Sequence, residues 1–145
     1  MEIYTIGFVK KSAEEFFGIL RKAKIKTLID VRLNNTSQLA GFTKQEDLAF
    51  FLRELCSIEY KHSMELAPSK DLFDAIKGGK ITWDQFEEDF GELLKQRNIE
   101  ATLDRSLFKE RAVLLCSEAT SEQCHRRLVA EYFKEKWDGA TIVHL

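Results

Sequence analysis

Apolar positions along the chain switch between a period of two and a helical period, and each switch marks an element. Glu2 to Gly7 reads Glu-Ile-Tyr-Thr-Ile-Gly, a β-rich run stopped by glycine, which predicts a first strand. Ser12 with Glu15 has the spacing of a capping box, and Phe16, Phe17, Ile19, Leu20 and Ala23 follow at helical spacing, so a helix is expected from Ala13 to Lys24. Lys26 to Arg32 reads as a second strand. Strand, helix and strand in this order predict two parallel neighbours joined by a right-handed crossover. After a polar loop from Asn34 to Phe42, Thr43 and Glu46 form another capping box before a helix through Leu48, Phe51, Leu52 and Leu55. Ile58 to His62 is a third strand.

Ser69 to Phe108 is mostly helical in pattern. It holds a short helix at Leu72 to Ile76, a turn at Gly78-Gly79, a helix capped by Thr82 with Gln85, and one more from Glu100 to Phe108. Trp83, Phe86, Phe90, Leu93 and Leu94 fall at helical spacing, so packing explains them better than base stacking. Such an insertion is also placed to cover a site. Arg111 to Cys116 is the fourth strand, and Thr120 with Gln123 opens a helix that carries Leu128, Val129, Tyr132 and Phe133 on one face and ends near Gly139. Thr141 to Leu145 supplies a last strand. The expected architecture is a single α/β domain over residues 1–145, with about five mainly parallel strands, helices on both faces and a helical insertion before the fourth strand.

Composition narrows the range of partners. A net charge of -2 gives no global attraction to nucleic acid or an anionic membrane, so any phosphate recognition must be local. Cys56, Cys116 and Cys124 are odd in number and show no disulfide-framework spacing, and Met1 leads straight into a strand-like run. A reducing cytoplasm is therefore expected. No apolar stretch is long enough to span a membrane, and no membrane partner is expected.

Loops at the carboxyl ends of parallel strands are where open α/β sheets bind ligands. Thr5 and Gly7 close the first strand, Asp30 and Arg32 the second, His62 the third, and Cys116 and Glu118 the fourth. Residues two apart share a side of their strand. Helical phase brings Cys124 and His125 onto the buried face with Arg126 beside them, while Arg127 faces Glu131. Arg32, Arg126 and the helix N-terminus together suit an anion or phosphate, and Gly7 lets a ligand approach the backbone. Glu118 or Asp30 is the candidate general acid or base, and Cys116 the candidate nucleophile. A bland reading stands beside each: Asp30 and Arg32 as a structural ion pair, Cys116 as a small core residue, His144 as peripheral. Cys116, Glu118, Cys124 and His125 are residue types that suit zinc, but Cys124 and His125 are adjacent and match no standard ligand spacing, so no metal or cofactor is expected.

Thr5-Ile6-Gly7, Asp30-Val31-Arg32, Tyr60-Lys61-His62, and above all Cys116-Ser117-Glu118 with Cys124-His125-Arg126-Arg127 resemble the domain-of-unknown-function family numbered 488 over nearly the whole chain. Two departures are Phe8, where that family often has histidine, and Leu66-Ala67-Pro68, where it usually has Leu-Gly-Gly. The resemblance implies the fold and the site and carries no activity. The leading expectation is an enzyme or binding protein for a phosphate-bearing ligand, a nucleotide or nucleic-acid component. The alternative is cysteine-dependent chemistry of the sulfurtransferase kind, because a strand ending in Cys116 also looks like the rhodanese layout, although Glu118 and Glu122 depart from that loop. A further alternative is a non-catalytic interaction module that docks a partner on its aromatic helices.

Overall fold

The computed structural model describes residues 1–35, 41–116 and 124–145. Its sheet has five parallel strands, β1 (Glu2–Gly7), β2 (Thr27–Asp30), β3 (Glu59–His62), β4 (Ala112–Cys116) and β5 (Thr141–His144), in the order β3-β2-β4-β1-β5. The α-helices among the described residues are α1 (Ala13–Lys22), α2 (Gln45–Phe51), α3 (Lys70–Lys77), α4 (Trp83–Arg97), α5 (Ile99–Thr102), α6 (Ser106–Lys109) and α7 (His125–Lys136). A π-helical turn, Leu52–Cys56, extends α2.

β1 and β2 are not neighbours, contrary to the expectation from their order. β4 lies between them, with Val113 aligned to Tyr4 on one side and to Leu28 on the other. The reason is in its composition. Ala-Val-Leu-Leu-Cys is apolar and buried at every position, so it needs a partner strand on each edge and a covering layer on each face. β3 and β5 hold only exposed and half-buried residues and take the two edges.

Alternation along the strands divides the core in two. Ile3, Ile29, Ala112, Leu114 and Cys116 pack with α4 and α7 through Phe86, Phe90, Val129 and Phe133. Tyr4, Leu28, Val113 and Leu115 pack on the other face with α1 and α2 through Phe16, Leu20 and Leu48.

Two capping predictions are realised. Ser12 Oγ accepts from the Glu15 N–H at 3.1 Å, and Thr82 Oγ1 from the Gln85 N–H at 3.2 Å. Thr82→Ala should lower stability by about 1 kcal/mol, read as a fall in the urea midpoint at unchanged slope. Thr43 does not cap. It is buried in a 3-10 turn, and Lys44 occupies the N-cap position of α2 without a side-chain bond. The helix expected from Glu100 to Phe108 is two short ones, broken where Asp104 accepts from the Ser106 N–H at 2.9 Å. α7 ends at Lys136 rather than near Gly139. The proposed Thr120 and Gln123 box lies outside the described residues.

Candidate functional site

Parallel strands bring the predicted residues to one edge of the sheet, and the register then sorts them onto two faces. Asp30 aligns with Leu115, one position out of phase with Cys116, and with His62 on β3. Asp30, Arg32 and His62 therefore belong to the α1–α2 face. Thr5 is in phase with Leu114 and His144 and belongs, with Cys116, to the α4–α7 face. Gly7 aligns with Cys116.

On the first face Asp30 is saturated. Its fully buried carboxylate accepts from Arg32 Nε at 2.8 Å, Arg32 Nη2 at 2.8 Å, the Arg32 N–H at 3.1 Å and Tyr60 Oη at 2.6 Å. Arg32 Nη2 also donates to the Thr43 carbonyl at 2.7 Å, and its guanidinium lies over the Phe8 ring at 5.3 Å. Phe8, which stands where histidine is frequent in the resembling family, gives the Arg32 guanidinium an aromatic floor. Burial, followed by the Asp30 charge, pushes the Tyr60 phenol up, so it stays a donor. His62 Nε2 donates to the Arg32 carbonyl at 2.8 Å. This cluster ties β2, β3 and the loop after β2 together.

The second face holds two cysteines and a histidine. Cys116 and Cys124 are 4% and 2% exposed, and Arg126 is 1% exposed. His125 Nδ1 lies 3.4 Å from Cys116 Sγ, and its Nε2 lies 2.7 Å from the Val31 carbonyl oxygen. A carbonyl only accepts, so Nε2 carries the proton and neutral His125 presents the Nδ1 lone pair to the thiol. The Phe90 ring of α4 meets the imidazole edge-on at 5.8 Å, so the helical insertion does cover this group.

Cys124 is the N-cap of α7, extended at φ -133 and ψ 134, and not a member of the helix. That change of conformation between adjacent residues lets Cys124 and His125 both reach Cys116. Arg126 Nη1 lies 3.9 Å from Cys124 Sγ. Burial and then the hydrogen bond and charge of Cys116 push the Cys124 thiol up. Burial opposes the imidazolium of His125, but the Cys116 charge and hydrogen bond, the Val31 carbonyl and Asp30 outweigh it, and its pKa rises.

The Arg126 charge acts on two neighbouring groups. Burial and then the Arg126 charge lower the pKa of Lys11, and the same two causes head the lowering at His144. His144 lies exposed on the edge strand β5, as expected, and its Nδ1 contacts Thr5 Oγ1. Arg127 bonds Glu131 at 3.0 Å, as its spacing indicates, and also Glu87 of α4. Glu118 lies outside the described residues. Sequence reasoning missed Tyr60, Lys11 and the Val31 carbonyl. Only Tyr60 left a signal, two residues before His62 on the same side of β3.

The class that fold and site define is a parallel α/β protein with a cysteine–histidine pair at the carboxyl end of its central strand. A family model described as Domain of unknown function DUF488 matches residues 12–133, and the chain belongs to that family. No curated protein and no solved structure matches it. No helix among the described residues is long and apolar enough to cross a membrane.

Proposed function

We propose that the chain is a thiol-dependent enzyme for a small anionic, phosphate-bearing substrate, with Cys116 as nucleophile and His125 as its base. The observation that carries this reading is the 3.4 Å contact of Cys116 Sγ with His125 Nδ1, in an imidazole whose other nitrogen is held by Val31. A thiol becomes a strong nucleophile when a fixed base takes its proton, and a base is useful only if its tautomer is set. Here the backbone sets it.

The anionic substrate follows from the charges around the pair. The first turn of α7 contains His125, Arg126 and Arg127 and no acidic residue. Cations at a helix N-terminus oppose the helix dipole, and a bound oxyanion reverses that penalty. Lys11 adds positive charge beside Arg126. Arg126, in the first turn of α7 beside Cys124, is the anion-binding arginine in this arrangement. Free thiols suit the reducing compartment expected for the chain.

Iodoacetamide labelling of metal-free protein at neutral pH, followed by mass spectrometry, tests this. Cys116 should be alkylated roughly tenfold or more faster than Cys56, and inorganic phosphate or a nucleoside monophosphate should slow it. An inert Cys116 removes the nucleophile, and indifference to every oxyanion removes the substrate class.

A further inference from the structure

The donor atoms of Cys116, Cys124 and His125 all lie within 4.8 Å of one another. A tetrahedral ion with metal–sulfur bonds of about 2.3 Å and metal–nitrogen bonds of about 2.1 Å has S···N edges of about 3.6 Å and S···S edges of about 3.8 Å. The 3.4 Å separation of Cys116 Sγ from His125 Nδ1 is close to the first of these. The surroundings match as well. Metal-bound histidines donate their second ring N–H to a carbonyl or carboxylate, which turns the lone pair of the other nitrogen to the ion. His125 does this through Nε2 to Val31 at 2.7 Å. Thiolate ligands are steadied by nearby N–H donors, and Arg126 Nη1 stands 3.9 Å from Cys124 Sγ.

We propose that Cys116, Cys124 and His125 form a three-ligand site for a thiophilic divalent cation, zinc by the chemistry of its donors. Two sulfurs and an imidazole select zinc over magnesium or calcium, which take oxygen ligands. Two thiolates and a neutral imidazole balance the charge of the ion, and loading from neutral thiols releases two protons to solvent. Three protein ligands leave one position of a tetrahedral ion for a non-protein group, the composition of zinc sites that remain open. Adjacency of Cys124 and His125 argues against a site only while both are placed on one helix. With Cys124 extended at the cap, the pair straddles a change of conformation and converges.

Zinc and an alkylating agent compete for the sulfur of Cys116, so the ion also silences the nucleophile proposed above. The site itself does not rest on that nucleophile's reactivity. Cobalt(II) titration of the full chain under reducing, metal-free conditions reads it through the thiolate-to-cobalt charge-transfer absorption. The expected result is an absorption that saturates at one equivalent, disappears on addition of zinc, and is lost in Cys124→Ser. In wild-type protein, one equivalent of zinc should slow alkylation of Cys116 by roughly tenfold or more and leave Cys56 unchanged. No charge-transfer absorption, or one that persists undiminished in Cys124→Ser, overturns the site. If that variant does not fold, the wild-type protection decides, and alkylation of Cys116 indifferent to zinc overturns the proposal. Rapid alkylation of the metal-free protein with no cobalt absorption rejects the metal and leaves the thiol reading standing. The opposite pair of results rejects the thiol reading alone.

Discussion

Asp30→Ala should destabilise the protein by about 3–5 kcal/mol, because it strands the guanidinium of Arg32 without its counter-charge in a buried site. The side chain of Arg32 is 6% exposed and that of Asp30 is fully buried, so water cannot replace the lost carboxylate. Tyr60 Oη loses its acceptor in the same step. Urea unfolding followed by the fluorescence of Trp83 and Trp137 measures the loss, which should appear as a lower midpoint with the slope retained. Asp30→Asn keeps the shape and an acceptor while removing the charge, and should fall between wild type and Asp30→Ala. Asp30→Leu combined with Arg32→Met should cost less than Asp30→Ala alone, since an apolar pair leaves no unpaired charge. A loss below about 1 kcal/mol for Asp30→Ala would contradict the geometry, reducing the cluster to the worth of an ordinary surface pair.

His125→Ala should slow the alkylation of metal-free Cys116 at neutral pH by roughly a hundredfold, the lower end of what a positioned base contributes. The substitution removes both the acceptor that faces the thiol and the cation that stabilises the thiolate once the proton has moved. Cys56, half-buried at the end of the π-helical turn on the opposite face, is an internal control and should react at its wild-type rate. Removing the ring also takes away the edge-on partner of Phe90, so the unfolding midpoint must be recorded alongside. A folded variant whose Cys116 reacts within about threefold of wild type would show that the pair is a packing contact, as buried cysteines commonly make.

Much of this arrangement can be read from the residue pattern, and the parts that cannot have identifiable causes. Caps at Ser12 and Thr82 are local, with donor and acceptor three residues apart, so spacing alone locates them. Thr43 has the same spacing and fails because its carbonyl and its place in a buried turn serve Arg32, a partner on another element. The aromatic stripe of α4 reveals its buried face by period, yet nothing in the period indicates that Phe90 lies against His125. Spacing by two correctly brings Asp30 and Arg32 together, although β2 ends at Asp30, and puts Thr5 and Gly7 on one side of β1. Register between strands is a tertiary property, and a shift of one residue sends a side chain to the other face. For that reason a single expected cluster is two clusters, divided by the sheet. Cys124 and His125 show the same limit at smaller scale, since a helix boundary displaced by one residue changes which way a side chain points.

The central place of β4 also bears on how the chain acquires its shape. β1 and β2 are separated by a short helix and are available early, but they share no edge, and each must wait for residues 112–116 to slide between them. Contacts of such long sequence separation are entropically expensive to close, and they make the approach of this strand a natural rate-limiting step. During synthesis the amino-terminal half would emerge with the inner edges of both strands unpaired, open to mispairing with other chains. The segment that brings Cys116 to His125 is thus also the one that joins the two halves of the sheet, so that pair is assembled only as the sheet closes.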